Sequence, residues 1–270
     1  MFHSLPLHQS LASVAPPVET VISLQNFGIA LDRKQVLSDI TFDLRRGEVL
    51  GLIGRAGAGK SALLRAIVRL LDESRGAATQ GRLRYLDHDI YDPHCDLPHL
   101  RRMIAFVPQQ VTPFPTSIWD NIAYGARLHR IAMDKASMAD LVEETLRRCH
   151  LWHVVRDDLH RRRGTDLPVH QQRLLCLARA LAVRPEVLLL DRTTGSIDQT
   201  ELALLNQLVG ELKADHTIVL VTPTLAETAQ IADRVAHLEQ GRLVEIDTAE
   251  MIFTAALHPD TRTFIDSTAV

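Results

Sequence analysis

The sequence predicts an α/β fold with a mostly parallel core sheet, an N-terminal antiparallel β layer and a helical insertion. Three observations predict it. Val49–Ile53, Val187–Leu190 and Thr217–Val221 are short continuous apolar runs, the pattern of strands buried on both faces. Segments with apolar residues at helical spacing alternate with them, as parallel strands joined by helices require. The first run also leads directly through a glycine-rich loop into a helical pattern.

Taken in order, Val21–Gln25 and Ile40–Leu44 read as strands joined by a polar turn near Asp32-Arg33-Lys34. Val49–Ile53 follows, and Lys60–Leu71 has apolar residues at 63, 64, 67, 70 and 71, one face of a helix. Arg82–Leu86 and Ile104–Val107 are further strands with a small helix at Leu97–Arg102 between them. From Ser117 to His150 the pattern is helical, with Met138, Leu141, Val142, Leu146 and Cys149 on one face. Gln171–Ala182 is a helix, Val187–Leu190 a strand ending at Asp191, and a helix near Glu201–Lys213 precedes the strand Thr217–Val221. Arg234–Glu239 and Arg242–Ile246 form a hairpin about Gln240-Gly241.

Length and composition limit the function. The 270 residues suit one α/β domain with an insertion, or two small domains, and 46% hydrophobic content supports a substantial core. A net charge of −3 argues against a general nucleic-acid binder. Cys95, Cys149 and Cys176 form no C-x-x-C and fit free thiols in a reducing compartment. No uncharged apolar stretch approaches the ~18 residues of a membrane-spanning helix. The first 17 residues, broken by Pro6, His8, Pro16 and Pro17, read as a loose tail with no basic leader.

The strongest motif is Gly54-Arg55-Ala56-Gly57-Ala58-Gly59-Lys60-Ser61, a complete G-x-x-x-x-G-K-S phosphate loop between a strand and a helix continuing at Ala62. Its glycines let backbone N–H groups converge on phosphate oxygens at a helix N-terminus. Lys60 would reach the β- and γ-phosphates, and Ser61 would ligate Mg²⁺. Asp191, ending a second buried strand, would hold Mg²⁺ through water as the usual partner of the loop Ser.

Two further segments point the same way: Phe106-Val107-Pro108-Gln109-Gln110-Val111-Thr112-Pro113-Phe114-Pro115-Thr116-Ser117-Ile118, and Ala178–Ala182 running through Arg184-Pro185-Glu186 to Asp191. With the phosphate loop they resemble the ATP-binding cassette of ABC transporters over about 18–250. The Thr-Pro-Phe-Pro-x-Ser-Ile stretch, followed by Asp120-Asn121-Ile122-Ala123, is similar to the phosphate-import subfamily. The resemblance implies a P-loop NTPase cassette fold with a helical subdomain at about 110–172 and a C-terminal tail at 251–270. It implies ATP and Mg²⁺ as ligands, transmembrane permease subunits and a second cassette as partners, and a place on the inner face of the membrane. Gln109 matches the glutamine that senses metal and γ-phosphate, which makes Ser61, Gln109 and Asp191 the implied metal set. Asp198, in Ser196-Ile197-Asp198, matches the family's aspartate of the loop after that strand; a helix cap explains it equally well.

The departures bear on activity. Where the family has a catalytic Glu after the strand-end Asp, this chain has Arg192, which cannot accept a proton. Pro223 stands where the family has its switch histidine. The signature Leu-Ser-Gly-Gly-Gln aligns with Leu167-Pro168-Val169-His170-Gln171, in which the hydroxyl and both glycines are gone; Pro168 suits a first helical position. No aromatic lies between Gly28 and Leu37 to stack on adenine, so Phe27 is the nearest substitute and Leu31 can only pack. The expectation is an ATP-binding subunit with impaired hydrolysis. A working importer ATPase whose base comes from elsewhere and a soluble nucleotide-sensing regulator are the alternatives. The histidines (His94, His99, His150 and His153) and Cys95 complete no four-ligand set, and Trp119 and Trp152 read as packing residues.

Overall fold

A computed structural model describes residues 19–110, 112–192 and 199–268. Its elements are β1 (Thr20–Leu31), β2 (Lys34–Arg45), β3 (Val49–Ile53), α1 (Lys60–Ile67), β4 (Ala78–Tyr85), β5 (His88–Asp89), α2 (Leu97–Met103), β6 (Ile104–Val107), α3 (Ile118–Leu128), α4 (Lys135–Arg148) and α5 (Trp152–Val155). After a 3₁₀ turn at Gly164–Asp166 come α6 (Val169–Leu181), β7 (Val187–Asp191), α7 (Gln199–Leu212), β8 (Thr217–Val221), α8 (Leu225–Ile231), β9 (Arg234–Glu239), β10 (Arg242–Thr248), α9 (Ala249–Ala255) and α10 (Pro259–Thr268). The tail expected at 1–17 and the loop containing Asp198 lie outside the described residues.

The core sheet runs β10-β9-β3-β8-β7-β6, parallel throughout except for the edge strand β10. The strands β3, β7 and β8 are buried at every residue, which is why each reads as an unbroken apolar run. A second sheet, β2-β1-β4-β5, is antiparallel and packs over α1. Here β1 and β2 extend well beyond the residues that alternation marks. Register shifts between Leu24 and Ala30 break the period of two, and a tight turn at Asp32 and Arg33, both at positive φ, joins the strands.

Two helical expectations need adjusting. The helix starting at Lys60 stops at Ile67, because Arg69 turns left-handed (φ 54°) and the amide of Leu70 returns to Arg65 O. Leu70 and Leu71 still pack inward, so apolar spacing could not mark the end. The stretch from Ser117 to His150 is two helices. Arg130 breaks it with φ 53°, and Asp134 restarts it with a capping box to Ser137. Trp119 and Trp152 pack against the second core beside α3, α4 and α6, and all three cysteines are free thiols.

The layers are tied by charge as well as apolar packing. The Tyr85 hydroxyl donates to Glu186, which also pairs with Arg46; Arg46 in turn pairs with Glu19 at 2.7 Å. Burial and the Glu186 carboxylate push the Tyr85 phenol well above its usual pKa. Residues 249–268, which the sequence reading left partly outside the main domain, form α9 and α10. They close the far face of the sheet through Ile53, Val235, Ile252 and Phe264.

The loop between β6 and α3 is held by one buried amide. Asn121 Oδ1 accepts from the Phe114 N–H (2.8 Å), while Nδ2 donates to the carbonyls of Phe114 (3.1 Å), Thr116 (3.3 Å) and Ser117 (2.9 Å). The Asn-Ile-Ala that follows the Thr-Pro-Phe-Pro stretch is thus explained locally: Asn121 satisfies backbone groups that the two prolines leave outside any ladder. Asn121→Ala is expected to cost about 3 kcal/mol of stability in a urea unfolding series, through orphaned buried groups. A cost below about 0.5 kcal/mol, the range of ordinary surface changes, would show these bonds to be dispensable.

Candidate functional site

The phosphate loop leaves β3 under tight steric control. A Cβ at Gly54 (φ 139°) would sit 2.1 Å from the Leu238 carbonyl oxygen, and one at Gly59 (φ 106°) would sit 2.8 Å from Leu37 Cδ2. Gly59 caps α1 with no side-chain bond, so the first amides of the helix face the loop's interior. The β9–β10 turn grips the loop from outside, with the Gly241 N–H donating to Ala58 O (2.9 Å) and the Ser38 N–H to Gly241 O (2.8 Å).

Lys60 is buried and turned into the loop, donating to Gly54 O and to Arg55 O (3.0 Å). Burial pushes its pKa down, and the carboxylates of Asp191 and Glu239 oppose that shift. A cation folded into a ring of carbonyls and helix amides is a ready anion site, since a phosphate oxygen can replace the carbonyls as its partner.

A cavity of about 660 Å³ opens on the loop. The structure brings Gly54, Arg55, Ala56, Gly57, Ala58, Gly59, Lys60, Ser61 and Ala62 together there with Gln109, Thr222 and Pro223. Asp191 and Arg192 line a smaller cavity of about 60 Å³, which shares Gln109 with the larger one. Of the strand-end groups, Thr222 and Pro223 after β8 line the loop's cavity, while Asp191 and Arg192 at the end of β7 lie beside it through Gln109. Among the described residues, Leu167, Pro168, Val169, His170 and Gln171 line neither cavity. Pro168 takes the N-cap position of α6, one residue before the first helical turn, and Val169 and His170 are exposed.

Two findings depart from the sequence reading. Phe27 cannot stack on a base at this site: it is 1% exposed and packs against Tyr91, with ring centroids 5.6 Å apart. The irregularity of β1 between Leu24 and Ala30 turns Phe27 into the core together with Gly28 and Ile29. Arg192 has a partner that the sequence does not suggest. Its Nη2 lies 3.3 Å from Glu227 Oε2, and the two side chains are 12% and 6% exposed.

Sequence reasoning missed Glu227, together with Val36, Thr224, Thr228, Phe264 and Thr268, all but Glu227 of which line the larger cavity. Thr224-Leu225-Ala226-Glu227 carries a helix-start signal, a Thr followed three residues later by Glu, and it does cap α8: the Glu227 N–H donates to Thr224 Oγ1. Phe264 and Thr268 had no such signal, because they reach the cavity only through the docking of α10.

Comparison with known proteins accords with this geometry. A sequence model described as ABC transporter matches residues 37–195. The chain is 37% identical over 247 residues to Phosphate import ATP-binding protein PstB 1 of Vibrio parahaemolyticus, covering 92% of this chain and 90% of that one. It is 36% identical to the protein of the same name from Vibrio cholerae, again over 92% and 90%. In three dimensions it is similar to cbiO1 from Clostridium perfringens, part of the ABC transporter complex cbiONQ, with a TM-score of 0.75 and 21% identity over 88% of this chain and 92% of that one. This last likeness concerns the fold alone. The site is built on the sheet and loop of that fold, and the sequence matches span most of the chain: it belongs to the ABC transporter family.

Proposed function

We propose that this chain is the ATP-binding subunit of a phosphate-importer-like complex, holding Mg-ATP at Gly54–Ser61 but hydrolysing it far more slowly than an intact cassette. Binding is supported by the cradle itself, by buried Lys60 and by relatives named as phosphate import ATP-binding proteins. The Ser61 hydroxyl, the Gln109 amide oxygen and the Asp191 carboxylate are hard oxygen donors of the kind Mg²⁺ takes. The metal would neutralise phosphate charge when bound. Affinity is modest, because Val36 on β2 offers only aliphatic packing where the family stacks an aromatic worth about 1–3 kcal/mol.

The observation that carries impaired hydrolysis is Arg192 in the position of the base, paired with Glu227. Glu227 does not take over the role of the base. Its carboxylate accepts from the Thr224 hydroxyl (3.0 Å) and from Arg192 (3.3 Å), and it lies outside the cavity lining. The Pro223 side chain supplies neither donor nor acceptor to the cavity beside it. Replacement of the signature serine and glycines by Pro168, Val169 and His170 would equally weaken the site such a chain offers a second cassette.

Among the described residues no helix is long and apolar enough to cross a membrane, so attachment would run through permease subunits. Tyr124, Leu128 and Met133, exposed by 57%, 65% and 75%, give the helical subdomain an apolar surface for that contact. The resulting location is the inner face of the membrane. In a dimer with an intact cassette, the chain would dampen its partner's turnover.

Isothermal titration should show saturable Mg-ATP binding that Lys60→Ala abolishes; no saturation up to about millimolar ATP, the upper range of ordinary KM values, would refute nucleotide binding. Steady-state hydrolysis is expected at least ~10²-fold below the ~10 s⁻¹ typical of enzymes. Arg192→Glu with Pro223→His should recover little, since it sets a second carboxylate against Glu227. Adding Glu227→Gln should raise the rate at least about tenfold, the low end of what a restored base supplies. A wild-type rate near ~10 s⁻¹ would mean that a base is supplied elsewhere.

A further inference from the structure

We infer that Glu227 is a latch on Arg192, holding its guanidinium against α8 and off the terminal phosphate of a bound nucleoside triphosphate. The inference rests on the nucleotide-binding reading above and concerns how that site tells triphosphate from diphosphate.

The geometry fixes both halves of the latch. The Arg192 N–H donates to Val221 O at 2.9 Å, so the residue is pinned level with Thr222 and Pro223, which line the phosphate cavity. Its side chain shares a small cavity with Asp191 and Gln109, and Gln109 is common to both cavities. Through Gln109 the guanidinium borders the phosphate cavity, and Arg is the side chain best suited to grip phosphate in two-pronged fashion. Alongside its other contacts it is directed instead towards Glu227, 3.3 Å away. Glu227 is a fixed competitor. It sits on the first turn of α8, where the helix N-terminus favours an anion, and its second oxygen accepts from Thr224. With both side chains nearly buried, salt screens the pair poorly.

Two consequences follow. Arg192 blocks the base position without rewarding the γ-phosphate, so triphosphate preference rests on Lys60 and the loop amides. Releasing the guanidinium should convert the site into a triphosphate trap. Glu227 is thus a positioning residue that acts through Arg192.

The test measures Kd for Mg-ATP and for Mg-ADP on the purified full chain, with the ratio as readout. Glu227→Gln is expected to raise ATP-over-ADP preference by about tenfold, equivalent to about 1.4 kcal/mol. Glu227→Asp, which keeps the charge, should hold the wild-type ratio, and Glu227→Gln with Arg192→Met should return to it. An unchanged ratio in Glu227→Gln, or a gain that survives Arg192→Met, overturns the latch. If Glu227→Gln does not fold, Arg192→Met alone decides. A ratio within about twofold of wild type supports the latch, while a loss of about fivefold or more puts the guanidinium already on the phosphate and overturns it. Absence of Lys60-dependent binding in the wild type overturns the nucleotide reading itself, and the latch with it.

Discussion

The main chain of Gly54 passes so close to β9 that no Cβ fits between it and the Leu238 carbonyl. Most of the site follows from that contact. It lets β3 end against β9 and the chain curl back through left-handed Gly57 and Gly59, aiming the free amides of α1 inward. The same curl brings the Lys60 ammonium onto the loop's own carbonyls. The β9–β10 turn then holds the loop from outside through Gly241, so main-chain hydrogen bonds join the N-terminal β layer, the loop and the hairpin.

The opposite wall is built independently. The ends of β7 and β8 supply Asp191, Arg192, Thr222 and Pro223, and the pairing of β3 with β8 brings them beside the loop. On the proposed function, this separation would let anion binding and hydrolysis diverge in one chain. Arg192 and Pro223 change the second wall without touching the backbone geometry of the first. Arg192 is accommodated there because Glu227 balances its charge, where an unpaired buried guanidinium would be costly.

Gln109 joins the two walls, and the loop beyond it is stiffened by Asn121 at the root of α3. Phe114, whose main chain Asn121 holds, also lies under the Arg179 guanidinium at 4.3 Å and edge-on to Tyr124. Through these contacts the exposed Tyr124 of α3 packs on the residue that Asn121 holds.

Much of this was legible in the sequence where the determining contacts are local or periodic. The strands Val49–Ile53 and Thr217–Val221 have the bounds their apolar runs indicate, because burial on both faces leaves no alternation to misread. The phosphate loop declares itself in eight consecutive residues, since its glycines answer to backbone crowding there. By contrast β1 and β2 were read short because bulges disrupt their alternation, and the end of α1 was hidden by leucines that pack whether helical or not.

What the sequence by itself determined is the fold class, the anion cradle and the absence of a carboxylate after Asp191. Only the tertiary structure decided that Phe27 is spent in the core against Tyr91, that Val36, Phe264 and Thr268 complete the cavity, and that Arg192 answers to a glutamate 35 positions away. The physical reason is the parallel sheet. Its strand ends gather side chains from segments far apart in the chain, and no spacing along the sequence records which of them will meet.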